Sequence, residues 1–257
     1  MALKVSIGAR NFMAGIGSLK DAFQNGKLEI YSGAQPATAE AAVTGTLLCT
    51  ITSSSAARTA EVFATGTVTL TGGAAGSVDT LTVNSIDILG GAVPYNTSLT
   101  QTAADVAAQI NNFHSTSEYI ATSSGAVITI TAIPGLGTLP NGYVVASTAT
   151  TITKTDVNMA GGVAAVNGLK FGYASGAVIQ KLATQIWTGV NAASGTAGYF
   201  RLYGSAADAG TLDATATTIR LDGAIATAGA EMNMGSTALV ATATTTISSF
   251  PITLPTA

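Results

Sequence analysis

The residues best suited to catalysis or metal binding are one histidine, His114, and one cysteine, Cys49. Nucleophilic triads use a histidine as the base, and a structural zinc site needs several His or Cys ligands. His114 follows a predicted helix end, where an imidazole caps the helix or is solvated. Cys49 lies in the apolar run TLLCTIT, without the basic setting that activates a thiol. We therefore predict no catalytic residue, no standard zinc site within one chain, and a buried, inert Cys49.

The carboxylates are scattered along the chain. Asp208 and Asp213 bracket a predicted loop, but the D-x-[DN]-x-[DN]-G run of a calcium loop is missing. Asp222 precedes Gly223, a pair that favours a turn. Glu29 belongs to the predicted strand KLEIYS, where we expect it to be solvated or to pair across strands. No carboxylate pair suggests a glycosidase, and we predict no metal site and no cofactor.

Two glycine-rich segments are candidates for phosphate binding, Gly72–Gly76 (GGAAG) and Gly135–Gly137 (GLG). Neither is followed by Lys-Ser/Thr and a helix, which a P-loop requires. Both are predicted to be ordinary loops. The tripeptide Asn96-Thr97-Ser98 matches a glycosylation sequon, but the chain shows no sign of a secretory route, so the match carries no prediction.

Three aromatic residues, Trp187, Tyr199 and Phe200, lie within predicted strands. Aromatic side chains at such positions most simply pack in the core. The alternative is an exposed platform on which a sugar ring stacks, which would favour a carbohydrate-binding function. We therefore expect core packing and keep the sugar platform as the alternative.

The composition limits the classes of protein to which the chain can belong. The chain has 257 residues, of which 47% are hydrophobic and only 9% charged, with a net charge of -3; an ordinary domain has roughly 25% charged residues. No Lys/Arg cluster points to nucleic acid, and no apolar run is long enough to span a bilayer. The first residues, MALKVSIGAR, lack the features of a secretory signal. The single cysteine favours synthesis in a reducing cytoplasm. We expect no nucleic-acid or membrane partner, and a surface partly covered in an assembly.

Short alternating segments dominate the two ends of the chain. In AGYFRLYG, Tyr199, Arg201 and Tyr203 fall on one face and Phe200 and Leu202 on the other. Period 2 in short runs bounded by Gly, Asp, Ser and Pro is typical of half-buried antiparallel strands. Further strands are predicted at 27–32, 46–52, 169–173, 177–182, 185–190 and in the terminal run that places Phe250, Ile252 and Leu254 on one face. We predict a mainly β fold, an antiparallel β-sandwich or jelly-roll-like domain.

A helix is predicted before the first strand. Phe12, Ile16, Leu19 and Phe23 recur at helical spacing and form one apolar stripe. The pair Asn25-Gly26 is a natural end, since Gly accepts the left-handed conformation at little cost. This helix either covers an open face of the sandwich or docks on a neighbouring subunit.

The pattern changes between residues 62 and 162, where two strand regions, a helix and two more strands follow in the order ββαββ. The helix spans about 99–113; Thr100 or Thr102 caps it, and Val106, Ile110 and Phe113 form its buried stripe. This order fits a small α+β domain with one helix on a sheet. We predict an inserted domain at 62–162 within a discontinuous β-sandwich domain, 1–61 and 163–257.

Two segments resemble a known family. LEIYSGAQPATAEAAVTGTLLCTI (28–51) resembles the start, and GTAGYFRLYG with IRLDG and EMNMGSTALVATATTTISSF resembles the C-terminal half, of a family of small tailed-bacteriophage virion structural proteins. The middle segments GTVTLTGGAAGSVDTLTVNSIDIL, TAADVAAQINNF and AVITITA resemble ββαββ modules of phage tail and other virion proteins.

The resemblance implies a virion component without enzymatic activity. It implies other virion proteins (major capsid, neck or tail proteins) as partners and self-association into a symmetric homo-oligomer. Capsid decoration is the first expectation for its role. A neck, collar or tail component is the second, and a host-glycan-binding fibre or adhesin module, a different class of function, is the third.

Overall fold

The computed structural model describes residues 3–113 and 118–253. The fold is mainly β, with 42% strand and 11% helix, so the predicted fold class with antiparallel sheets and an N-terminal helix is confirmed. The chain folds as two compact units. We call Met1–Glu61 with Ala165–Ala257 the base unit, and Val62–Ala164 the inserted unit.

The chain begins with β1 (Lys4–Val5), α1 (Ile7–Gly15), α2 (Leu19–Phe23), β2 (Leu28–Ser32) and β3 (Leu47–Ser53). The N-terminal helical region is present but interrupted, because the predicted apolar stripe is divided between α1 and α2. Ser18 starts the second helix: its hydroxyl accepts from the Asp21 N–H at 3.2 Å, and the Asp21 carboxylate accepts from the Ser18 N–H at 3.0 Å. This capping box begins a new helix within the apolar stripe. Phe12, Leu19 and Phe23 are nevertheless buried as predicted.

The inserted unit contains β4 (Thr65–Gly72), β5 (Ser77–Val83), β6 (Ile86–Asp87), β7 (Val93–Pro94), α3 (Leu99–Asn112), β8 (Tyr119–Ser124), β9 (Val127–Ala132), β10 (Val145–Thr150) and β11 (Thr153–Ala160). One sheet has the order β11-β4-β9-β8; in the other, β5 pairs with β10, β6 and β7. Helix α3 packs on β8 and β9. The expected ββαββ order is thus incomplete, since it omits β7, β8 and β11.

Helix α3 is capped by Ser98, whose hydroxyl accepts from the Gln101 N–H at 3.1 Å. The predicted caps are therefore wrong. Thr102 is buried and donates its hydroxyl hydrogen to the Ser98 carbonyl at 2.9 Å. Val106 and Ile110 are buried as predicted, together with Ala103 and Ala107.

The chain then returns to the base unit through β12 (Val178–Ile179), β13 (Trp187–Val190), β14 (Gly195–Tyr203), β15 (Arg220–Ala226), β16 (Met232–Asn233), β17 (Ala238–Leu239), β18 (Thr244–Ile247) and β19 (Ile252–Thr253). The main sheet has nine strands, in the order β1-β15-β14-β2-β3-β13-β18, with β16 beside β15 and β17 beside β14. Among the described residues, the second sheet is formed by β12 and β19. The strand predicted at 169–173 is reduced to single bridges at Leu169 and Phe171. Phe250 and Ile252 are buried, and Leu254 lies outside the described residues.

The core of the base unit lies on one face of the nine-stranded sheet. β2 and β14 contribute Leu28, Ile30, Phe200 and Leu202, and α1 and α2 pack their apolar stripe into the same core. An aromatic cluster completes it: the ring centroids of Phe171 and Trp187 lie 5.2 Å apart, those of Trp187 and Phe250 5.6 Å, and those of Phe200 and Phe250 5.2 Å. The inserted unit has its own core, which includes Val68, Leu81, Val106, Ile110 and Ile130.

The two ends of the inserted unit meet. The Val62 N–H donates to the Val163 carbonyl at 3.0 Å, and the Val163 N–H donates back at 2.9 Å. In the base unit, Thr59 and Val166 exchange the same pair of bonds, both at 3.1 Å. Adjacent ends are what an inserted domain requires.

We predict that the two units fold separately. A fragment of residues 62–164, and a chain in which a short Gly/Ser linker replaces them, should each unfold cooperatively, because each retains its own core and paired ends. Urea titration followed by far-UV circular dichroism measures this, with Trp187 fluorescence reporting on the base unit alone. Loss of cooperative unfolding in both pieces would show that the two units depend on a shared core.

Candidate functional site

The opposite face of the nine-stranded sheet is polar. On β14, Tyr199, Arg201 and Tyr203 point away from the core, as their alternation predicts, and all three are buried. Glu29 and Tyr31 on β2 and Arg220 and Asp222 on β15 lie beside them and are buried too. Two loops, 33–46 and 204–219, contact this face: the Tyr199 hydroxyl donates to the Thr44 carbonyl at 2.7 Å, and Arg220 donates to the Leu212 carbonyl at 2.9 Å.

Arg201 and Asp222 form a fully buried ion pair on adjacent strands. Nε and Nη2 of Arg201 donate to the two carboxylate oxygens, both at 2.7 Å, and neither side chain is exposed. Burial acts to lower the pKa of Arg201, but the bonds and charge of Asp222 outweigh it and raise this pKa, so Arg201 stays charged. Burial raises the pKa of Asp222, and the two short bonds from Arg201 oppose that shift. The expected turn at Asp222 is wrong, because the residue lies inside β15 and its register partner on β14 is Arg201.

Glu29 begins a chain of buried hydrogen bonds. Its carboxylate accepts from Nζ of Lys27 at 2.6 Å and from the Tyr31 hydroxyl at 2.5 Å. The Tyr31 and Tyr203 hydroxyls lie 3.2 Å apart. Burial, reinforced by the charge of Glu29, raises the pKa of both tyrosines well above the ordinary range, so both remain protonated. The solvated alternative for Glu29 is therefore wrong.

A second, partly buried ion pair ties a loop to the sheet. Arg220 donates from Nε and Nη2 to the Asp208 carboxylate at 2.7 and 2.9 Å, and from Nη1 to the Glu40 carbonyl at 3.1 Å. Burial acts to raise the pKa of Asp208, but the bonds from Arg220 and from the Gly210 N–H outweigh it and lower this pKa. Asp213, the other carboxylate of this loop, accepts from the Ala42 N–H at 3.1 Å.

A groove of about 640 Å³ opens beside this network. Its charged lining residues are Lys27, Glu29, Arg58 and Asp208, accompanied by threonine and serine hydroxyls and by alanine methyl groups. Each carboxylate already accepts from a cation, and Arg58 donates to the carbonyls of Asn25, Gly204 and Ser205. The charges at the groove therefore hold strands and loops together.

The remaining sequence candidates are structural where the structure describes them. Cys49 is fully buried, and burial raises its pKa to about 11, which keeps the thiol protonated. Trp187 and Phe200 pack in the core, whereas Tyr199 stacks on Tyr31 with centroids 5.1 Å apart. None of these rings is exposed for a sugar platform. His114 lies outside the described residues.

Comparison with known proteins returned no matching protein family, curated protein or solved structure. Within residues 3–113 and 118–253, no group of three or more His, Cys, Asp or Glu side chains is placed to hold a metal ion. Among the helices described, none is long and apolar enough to cross a membrane.

We predict that Arg201→Met lowers the free energy of unfolding by about 3–5 kcal/mol, because it leaves the buried Asp222 without its cation. The double variant Arg201→Met/Asp222→Leu should be more stable than this single variant, since it leaves no unpaired charge at this position in the interior. Arg10→Ala is the control: Arg10 is exposed and lies 3.6 Å from Glu40, and such a pair contributes at most about 1 kcal/mol. Urea unfolding followed by Trp187 fluorescence measures all three. A double variant less stable than the single would contradict a penalty for an unpaired charge.

We predict that the base unit loses stability in acid because of Asp208. Because its folded-state pKa is lowered, its contribution is fully present above the unfolded value of about 3.9 and is lost as pH falls through the lower folded value. Asp208→Asn should therefore be destabilised at pH 7, and the difference from the native chain should shrink below about pH 4. Asp213→Asn, an exposed change in the same loop, should cost less at pH 7. A difference that stays constant with pH would contradict this role of the carboxylate.

Proposed function

We propose that the chain is a non-enzymatic structural component of a bacteriophage virion, and that it decorates the capsid. The proposal rests on the resemblance of residues 28–51 and 195–250 to small virion proteins. The antiparallel mainly β fold is compatible with it. Its partners would be the major capsid protein and further copies of this chain.

The observation that carries the proposal is the low charge of the surface. The composition is already poor in charge, at 9%, and five charged side chains of the described residues are buried: Glu29, Glu61, Arg201, Arg220 and Asp222. Large apolar residues are exposed instead, including Leu139, Tyr173, Leu212 and Val240. Depletion of charge is typical of the core of a protein interface. A surface of this kind suits attachment through apolar and backbone contacts.

Quantitative mass spectrometry of purified particles tests the proposal, using the phage that encodes the chain. We expect an abundance close to that of the major capsid protein. We also expect the chain to stay on the particle in about 1 M salt, where the Debye length is only about 3 Å, because few charges hold it there.

The other outcomes separate the alternatives. A small, symmetric copy number would contradict decoration and favour a neck, collar or tail component. Absence from the particle would overturn the virion assignment as a whole. Release of the chain by salt at high copy number would contradict attachment through uncharged contacts.

A further inference from the structure

The inserted unit has a polar depression of about 380 Å³ beside α3. Residues 91–96 form one wall, and Asp105 and Gln109 of α3 form the other. The lining thus includes Tyr95, which is half-buried against the core of the inserted unit, the amides of Asn96 and Gln109, and one carboxylate.

The hydrogen bonds at this depression leave acceptors unused. Asp105 accepts from Nδ2 of Asn96 at 2.8 Å and from Nε2 of Gln101 at 2.9 Å, one bond on each oxygen. A carboxylate has about four acceptor positions, so each oxygen can take another donor. These two bonds also lower the pKa of Asp105, which is therefore ionised at neutral pH. Gln109 uses its nitrogen to reach the Leu89 carbonyl at 3.3 Å, and its amide oxygen can accept from a ligand.

The backbone at the rim is held in a rare conformation. Thr97 has φ +47°, in the left-handed region that β-branched residues seldom adopt. The Tyr95 hydroxyl donates to the Thr97 carbonyl at 3.0 Å, and the Asn96 N–H donates to the Thr102 hydroxyl at 2.9 Å. Such strain persists only where the surroundings enforce it. Tyr95 and Asn96 are thereby fixed in place before any ligand arrives.

The charge of the lining restricts the ligand. Among the described residues, those that line the depression include one carboxylate and no lysine or arginine. An anion would be repelled by Asp105, and no group of three or more His, Cys, Asp or Glu side chains among the described residues is placed here to hold a metal ion. A neutral molecule with many hydroxyl groups matches both the free acceptors and the ring.

We propose that this depression binds a neutral saccharide. The Tyr95 ring packs against the C–H face of the sugar, while Asp105 and the amide oxygens of Asn96 and Gln109 accept hydrogen bonds from its hydroxyls. This binding site goes beyond the proposed function and does not depend on it.

Saturation-transfer NMR on the full chain tests the proposal. The probes are glucose, galactose, mannose, N-acetylglucosamine and rhamnose, followed by an array of neutral oligosaccharides built from them. We expect saturable binding of at least one probe. Tyr95→Ala and Asp105→Asn should each weaken it about tenfold, which corresponds to about 1.4 kcal/mol. Tyr95→Phe should weaken it less than Tyr95→Ala, because the ring remains although the bond to the Thr97 carbonyl is lost.

Tyr173→Ala is the matched control, since the Tyr173 ring is 94% exposed in the base unit, and it should leave binding unchanged. Circular dichroism must show that each variant retains the native fold. Absence of binding by the native chain across all probes would overturn the proposal, as would an equal loss in Tyr95→Phe and Tyr95→Ala. Binding of tetramethylammonium without any sugar would instead identify a cation site made by the ring and Asp105.

Discussion

The buried ion pair of Arg201 and Asp222 is the constraint on which the base unit depends. β14 lies between β15 and β2 near the middle of its sheet, so the pair has no access to water. Removing two charges from water costs several kcal/mol per ion, and geometry must offset that cost. The bidentate bond offsets much of that cost. The loops anchored through Tyr199 and Arg220 cover this face, while Nη1 of Arg201 is buried without a hydrogen-bond partner.

The burial of charged residues affects the charge of the protein surface. A chain with few charged residues would ordinarily place them on its surface, where they are solvated at little cost. Here several of them hold strands and loops together in the interior. The surface is consequently even poorer in charge than the composition indicates. Association through such a surface depends on apolar and backbone contacts, which screening by salt weakens little.

Much of the fold was predictable because local alternation reports burial directly. The faces of β14 and the apolar side of β2 follow from period 2 alone. β11 was missed because its sequence TKTDVNMA has little alternation, most of it being exposed or half-buried. Asp222 was misjudged because its register partner Arg201 is 21 residues away. The Asp-Gly pair is a local turn signal, whereas strand pairing is settled by contacts that no local window contains.

The groove of the base unit and the depression of the inserted unit differ in how fully their carboxylates are hydrogen-bonded. The sequence alone could not indicate this difference. At the groove of the base unit, Glu29 and Asp208 are both held by cations. At the depression of the inserted unit, the Asp105 carboxylate is held by uncharged amides and retains acceptor capacity. A satisfied network stabilises a fold, whereas spare acceptors around a fixed ring can be completed only by a ligand or by water. Asn96 contributes to this balance by donating its amide nitrogen to Asp105, which leaves its amide oxygen on the depression.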